Sequence, residues 1–172
     1  MKKIIFLAGL PAVGKSTLAR KIAERVDGLV LDIDEIKREI VDSSLVTSTI
    51  DPPEVRWQYY EKAIEKVFSL FEEGMSIVIV DEVFHLQFLR KRVEDLCTER
   101  GTRVSWIEVQ CSYREVEKRL RANSRDGHIL STQEALRMYL LFEEIFEEFP
   151  TDKVNHIIFK NEGDCDIDSL LV

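Results

Sequence analysis

The residues Gly9-Leu10-Pro11-Ala12-Val13-Gly14-Lys15-Ser16-Thr17 match the pattern G-x-x-x-x-G-K-[ST], whose chemistry is the binding of a polyphosphate. Gly9 and Gly14 permit backbone angles that a side chain would block, and they allow close approach to an oxygen. The amides from about Val13 to Thr17 then point inward around an anion at the start of a helix, with contacts also expected from Gly9 and Ala12. Lys15 adds a full positive charge toward the outer phosphates. The Ser16 hydroxyl is placed to meet Mg²⁺, so ATP with Mg²⁺ is the implied ligand.

Carboxylates fall where such a ligand would need them. Asp34 follows the apolar run Leu29–Ile33, and Asp81 follows Ile77–Val80. In an open parallel sheet, ligands sit beyond the carboxyl ends of the strands. Asp34 is placed to take the proton of an acceptor hydroxyl as it attacks the γ-phosphorus, or simply to cap the helix that begins at Glu35. Asp32 is the alternative base. Lys37 and Arg38, within one turn of Asp34, are candidates for holding an anionic acceptor. Asp81 has the position of a metal-holding aspartate. Glu82 beside it raises a second reading, a hydrolase whose glutamate orients water.

A basic segment, with Arg114, Lys118, Arg119, Arg121 and Arg125, stands out in an acidic chain. Arginines that close over a transferring phosphoryl group stabilise its charge, and the Asp126-Gly127 break suits a lid spanning about residues 112–135. The plainer alternative is a solvated helix face with spaced ion pairs. His85, His128 and His156 are not at metal-ligand spacing. Trp57, Tyr59 and Tyr60 are candidates for the border of an acceptor pocket, with core packing the better assignment for Trp57. The run Glu143, Glu144, Glu147 and Glu148 reads as a solvated helix face.

These residues need a scaffold, and the hydrophobic pattern supplies one. Apolar strands are expected at Lys3–Ala8, Leu29–Ile33, Ser76–Val80, Arg103–Val109 and Asn155–Phe159. Helices are expected at Lys15–Arg25, Glu35–Val41, from Pro52-Pro53 to Gly74, at Leu86–Arg100, Tyr113–Arg125 and Thr132–Phe149, with a last short one in Gly163–Val172. Ser43–Thr49 reads as loop. Strands alternating with helices predict an α/β fold in three layers, a five-stranded parallel sheet with helices on both faces. The 172 residues fit one domain, 1–172, without repeats.

Composition narrows the partners. A formal net charge of −8 does not suit a protein that coats nucleic acid. The three cysteines, Cys97, Cys111 and Cys165, are widely spaced, which points to reduced thiols and a cytoplasmic location rather than a disulfide framework or zinc site. Met1–Leu10 reads as a buried strand rather than a leader, and no stretch reaches the length of a membrane span. A monomer or homodimer is expected.

The order Gly-x-Pro-x-x-Gly-Lys-Ser-Thr, then Leu31-Asp32-Ile33-Asp34-Glu35-Ile36-Lys37-Arg38, then a strand ending in Asp81, then an arginine-rich helix, resembles the small P-loop kinases. It is similar to the group that contains the kinase domain of phage polynucleotide kinase, chloramphenicol phosphotransferase, zeta-type toxins and gluconate kinase. The resemblance implies an adenylate-kinase-like core with an arginine-bearing lid, ATP as donor and a small hydroxyl compound as acceptor. It implies Asp34 as the base, Arg119 and Arg125 as lid arginines with Arg121 as a substitute for either, and Lys160 and Asn161 as residues flanking the adenine. The family often has Asp-x-x-Arg where this chain has Asp34-x-x-Lys37 followed by Arg38. Two other readings remain beside a small-molecule kinase: a 5′-hydroxyl polynucleotide or nucleotide kinase, and an ATP-hydrolysing switch or ATP-binding module.

Overall fold

The computed structural model describes residues 2–40, 50–122, 131–152, 154–163 and 170. The expected loop Ser43–Thr49, the Asp126-Gly127 break, Arg125, His128, Cys165 and most of the expected C-terminal helix lie outside the described residues.

Five strands form one all-parallel sheet in the order β2-β3-β1-β4-β5. They are β1 (Lys3–Ala8), β2 (Leu29–Asp32), β3 (Ile77–Asp81), β4 (Arg103–Gln110) and β5 (His156–Lys160). The helices are α1 (Lys15–Val26), α2 (Ile33–Ile40), α3 (Pro53–Glu72), α4 (Gln87–Glu99), α5 (Tyr113–Ala122) and α6 (Thr132–Ile145).

After Lys3, strand β1 is apolar because it is central and covered on both faces. Ile4, Phe6 and Ala8 point into a core with α3 and α4, where Tyr60, Ile64, Val67, Val93 and Trp106 meet them. Ile5 and Leu7 point the other way, toward Leu18, Ile22, Val116 and Phe159 on α1, α5 and β5. The period of two along the strand feeds both cores. The α1 stripe behaves as its spacing predicts, with Leu18 and Ile22 buried and Val26 half-buried against the same core.

Several boundaries differ from the sequence reading, each for a local reason. β2 ends at Asp32 because the Asp32 carboxylate turns back and accepts the Asp34 N–H at 2.9 Å, so α2 starts at Ile33 rather than Glu35. Asp81 is the last residue of β3 rather than the residue after it, and Lys160 is the last of β5. α6 stops at Ile145, short of Phe149. Phe149 precedes Pro150, which disfavours helical geometry, and it leaves the helix line to pack its ring 5.6 Å from Trp106. Arg90 fixes that departure, donating to Phe84 O at 2.7 Å and to the carbonyls of Glu147 and Glu148 at 2.7 and 2.9 Å. At its start, α6 carries a reciprocal capping box between Ser131 and Glu134.

On α3, Tyr59 and Tyr60 are buried side chains of the core rather than the rim of a pocket. Trp57 is half-buried, with the Arg92 guanidinium 3.7 Å from its ring centroid. Among the described residues no helix is long and apolar enough to cross a membrane.

Candidate active site

The turn from β1 into α1 builds the phosphate loop. Gly9 (φ 144°) lies so close to β4 that a Cβ there would sit 2.3 Å from Val109 O, so only glycine lets the chain leave the sheet at this point. Ala12 (φ 63°) and Gly14 (φ 94°) are both left-handed, and Gly14 is the N-cap of α1. Alternating the backbone sense in this way turns successive N–H groups toward one concave side, an anion nest continuous with a helix N-terminus. The left-handed alanine was not foreseen from the motif, since x positions carry no such signal.

Lys15 is buried, and its Nζ donates to Leu10 O at 2.9 Å, which holds the ammonium across the loop. Ser16 and Thr17 are exposed in the first turn of α1, their hydroxyls open to a ligand. The side chain of Asn161, just past β5, closes the other flank. Its Nδ2 donates to Val13 O at 2.7 Å and stands 2.3 Å from where a Gly14 Cβ would be. Arg119 on α5 binds Glu115 Oε1 at 2.9 Å through Nε and Asn161 O at 2.8 Å through Nη2. Arg119, Asn161 and Gly14 therefore meet on one flank of the loop. Arg121 does not join them. It is exposed and paired with Glu117 at 2.7 Å, the ordinary surface outcome for a charge run. Lys160 is exposed and lines a cleft of about 560 Å³ with Gly9, Leu10, Tyr139 and Phe146, beside the loop.

The carboxylates gather at the ends of β2 and β3. Asp32 and Asp81 are register partners across these strands, and Leu7 of β1 is the partner of Asp81 on its other side. Burial raises the Asp32 carboxyl above the usual carboxylate range against its bond from the Asp34 N–H, and the charges of Asp34, Asp81 and Glu35 push it further up. The capping role open to Asp34 is thus taken by Asp32, and Asp34 stands exposed in the first turn of α2. Asp81 is 7% exposed, at the carboxyl end of β3. Hard oxygen donors of this kind, one hydroxyl and one carboxylate, fit Mg²⁺, which takes few protein ligands when phosphates supply the rest. Among the described residues no group of three or more His, Cys, Asp or Glu side chains forms a metal cage.

The sequence reading missed Arg56 of α3. Its guanidinium donates to Glu82 Oε1 at 3.1 Å and to Asp51 O at 3.3 Å, with side chains only 5% and 11% exposed in the Arg56–Glu82 pair. Burial raises the Glu82 pKa, Arg56 opposes that rise, and Asp34 and Lys15 also act on it with opposite signs. Glu82 is therefore engaged by Arg56 rather than positioned as a free base. The signal for Arg56 was its place on the buried stripe of α3, four residues before Tyr60 and eight before Ile64. Lys37 is engaged in a similar way, ion-paired with Asp51, which also accepts the Tyr59 hydroxyl at 3.3 Å. Arg38 is exposed.

Comparison with known proteins agrees with this architecture. A family model described as an AAA domain matches residues 4–144. Among solved structures the chain is similar to a sugar kinase from Janibacter sp. HTCC2649, with a TM-score of 0.73 at 16% identity over 99% of this chain and 91% of that one. It is also similar to a gluconokinase from Sinorhizobium meliloti 1021, with a TM-score of 0.69 at 15% identity over 98% and 87%. The Mycobacterium tuberculosis APS kinase CysC, solved with AMPPNP and APS, aligns with a TM-score of 0.62 at 19% identity over 98% and 92%. A search of curated protein sequences found no match. Because the family model spans most of the chain and encloses the phosphate loop, the protein belongs to the AAA domain family, and its fold is that of the small P-loop kinases of the adenylate-kinase-like group.

Proposed function

We propose that the protein is an ATP-dependent phosphotransferase that moves the γ-phosphoryl group onto a hydroxyl of a small molecule. The observation that carries this reading is the loop itself, with left-handed Ala12 and Gly14 before α1 and Lys15 held across it. The kinases with which the fold is shared act in the same direction.

In this reading the acceptor oxygen attacks the γ-phosphorus in line while Asp34 accepts its proton. The new O–P bond forms as the bond to the β,γ-bridging oxygen breaks, and ADP leaves with the electron pair. The loop amides and Lys15 neutralise charge on the phosphates. Asn161 and Arg119 hold the flank of the loop on the nucleotide side, and Arg125 serves as the lid arginine. Ser16 and Asp81 would hold Mg²⁺, which supplies charge neutralisation between the phosphates. Cys97 and Cys111 are buried and in no disulfide among the described residues, which suits a cytoplasmic protein. The engagement of Glu82 by Arg56 argues against the water-orienting glutamate of an ATP-hydrolysing switch.

The test is ADP release from Mg·ATP with pools of hydroxyl compounds. Release that depends on the acceptor, and disappears in Lys15→Ala, is expected. Steady ATP turnover without any acceptor, insensitive to Asp34→Asn, would refute the kinase reading in favour of a hydrolase.

A further inference from the structure

Between β3 and α4 the segment Glu82–His85 is tied, residue by residue, to different parts of the molecule. The Glu82 N–H donates to Leu7 O at 3.3 Å, which prolongs the sheet past Asp81. Val83 O accepts the N–H of Gly9, the first residue of the phosphate loop, at 3.1 Å. On its other side Gly9 lies against Val109 O of β4, where a side chain has no room. The position of this segment therefore sets where the phosphate loop begins.

Phe84 adopts a left-handed φ of 50°, an uncommon value for a bulky residue. Such a conformation persists where the surroundings over-determine it. The Phe84 ring is buried against Phe6, Tyr60 and Trp106, with centroids 5.4, 4.9 and 5.1 Å away. Its carbonyl accepts Arg90 Nη1 at 2.7 Å. Nη2 of the same guanidinium donates to Glu147 O and Glu148 O at 2.7 and 2.9 Å, and the Glu147 N–H donates to His85 O at 2.9 Å. Arg90 is 2% exposed, and the Phe149 ring centroid lies 4.1 Å from its guanidinium. All three of these acceptors are main-chain carbonyls. What they use is the planar fork, which fixes two chain segments at once, more than a charge that lysine would also carry.

Phe146 and Glu148 line the cleft beside the phosphate loop, together with Gly9, Leu10 and Val13. Arg90 thus bonds the segment that supports Gly9 to the stretch of chain after α6 that lines the same cleft. We propose that Arg90 is a positioning residue for phosphoryl transfer: it holds Glu82–His85 between the phosphate loop and the end of α6, and so fixes the start of the loop. The inference rests on the Mg·ATP-binding part of the kinase reading. A misplacement of about 1 Å in a positioning element is enough to cost about 10² in rate.

Two variants of the intact protein test this. Arg90→Lys keeps the charge and loses the fork. Asn155→Ala is the structural control: it breaks bonds to Val104 O and Glu94 Oε1, at 3.1 and 2.9 Å, at the end of β5 away from the phosphate loop. Where urea melts show both folded, calorimetry should give Mg·ATP binding weaker by about three- to thirtyfold in Arg90→Lys and by less than about twofold in Asn155→Ala. With an acceptor found in the pools, kcat should fall about tenfold or more in Arg90→Lys and stay near wild type in the control. Hydrogen exchange on the wild type needs no variant. Saturating Mg·AMPPNP should slow the Glu147 amide about fivefold or more, the reciprocal of the same coupling. The Gly101 amide, bonded to Thr98 O just beyond α4, should be unchanged. Mg·ATP affinity within about twofold of wild type in folded Arg90→Lys, an equal loss in both variants, or no slowing at Glu147 overturns the inference while the kinase reading stands. If Arg90→Lys does not fold, the exchange measurement decides. Mg·ATP binding without transfer to any acceptor removes the kinase reading, and affinity and exchange still decide the inference. A wild type that binds no Mg·ATP removes both.

Discussion

Asn161 Nδ2 donates to the carbonyl of Val13 at 2.7 Å, a bond between residues 148 positions apart that joins the end of β5 to the middle of the phosphate loop. The same amide covers Gly14, so the loop is shaped from outside as well as by its own glycines. The backbone carbonyl of Asn161 accepts Arg119 Nη2 at 2.8 Å, which extends the linkage to α5. Nucleotide affinity should therefore respond to a residue that the loop motif does not contain. Asn161→Ala is expected to weaken Mg·ATP binding about tenfold, the loss of one well-placed hydrogen bond near a charged ligand. Gly14→Ala should be more severe, since the new Cβ meets the amide and the left-handed φ is unfavourable for alanine. Titration calorimetry with Mg·ATP checks both. Unchanged affinity in Asn161→Ala would show that the bond does not shape the loop.

The two aspartates at the head of α2 should separate cleanly. Asp34→Asn is expected to lower kcat by about 10²–10⁴ with Mg·ATP affinity kept, the scale of a lost general base. Asp32→Asn keeps an oxygen that can accept the Asp34 N–H and removes a carboxylate that burial disfavours. It should fold, remain active within a few-fold, and be no less stable at pH 7. Steady-state rates and urea melts of both variants decide. The reverse pattern would make Asp32 the base.

Arg56 and Glu82 tie α3 to the end of β3 through a buried pair. Breaking it from one side leaves the other charge stranded, so Arg56→Met should destabilise by about 3–5 kcal/mol. Replacing both, Arg56→Met with Glu82→Met, should recover about 2 kcal/mol or more of the summed loss. Chemical denaturation of the four proteins in the cycle measures the coupling. Strict additivity would mean that the contact contributes nothing to the fold.

His85 gives the fold a pH dependence with a definite sign. It is 3% exposed, its ring packs edge-on at 5.2 Å from Phe142, and burial with Arg56 and Arg90 nearby lowers its pKa to about 3. Below its ordinary value of 6.5 the unfolded chain takes up a proton that the folded protein refuses. Stability from this group is therefore complete above about pH 6.5 and falls with acidification, by at most about 1.4 kcal/mol per pH unit down to the folded pKa. Between pH 7 and pH 5 the wild type should lose about 2 kcal/mol more than His85→Phe. Equal slopes in urea melts would show that His85 is accessible to protons in the folded state.

The sequence by itself determined the phosphate loop, the strand-helix alternation and the acidic residues at the strand ends. These are local signals: glycine where the backbone must turn left-handed, apolar runs where a strand is covered twice, periodicity where a helix has one wet face. The fate of the charged side chains was decided only in three dimensions. Asp32 rather than Asp34 caps α2, Lys37 turns to Asp51, Arg56 reaches Glu82 across twenty-six positions, and Asn161 comes to Val13 from the far end of the chain. A charge is satisfied by whichever opposite group the packed elements bring within about 3 Å, and spacing along the chain carries little information about that partner.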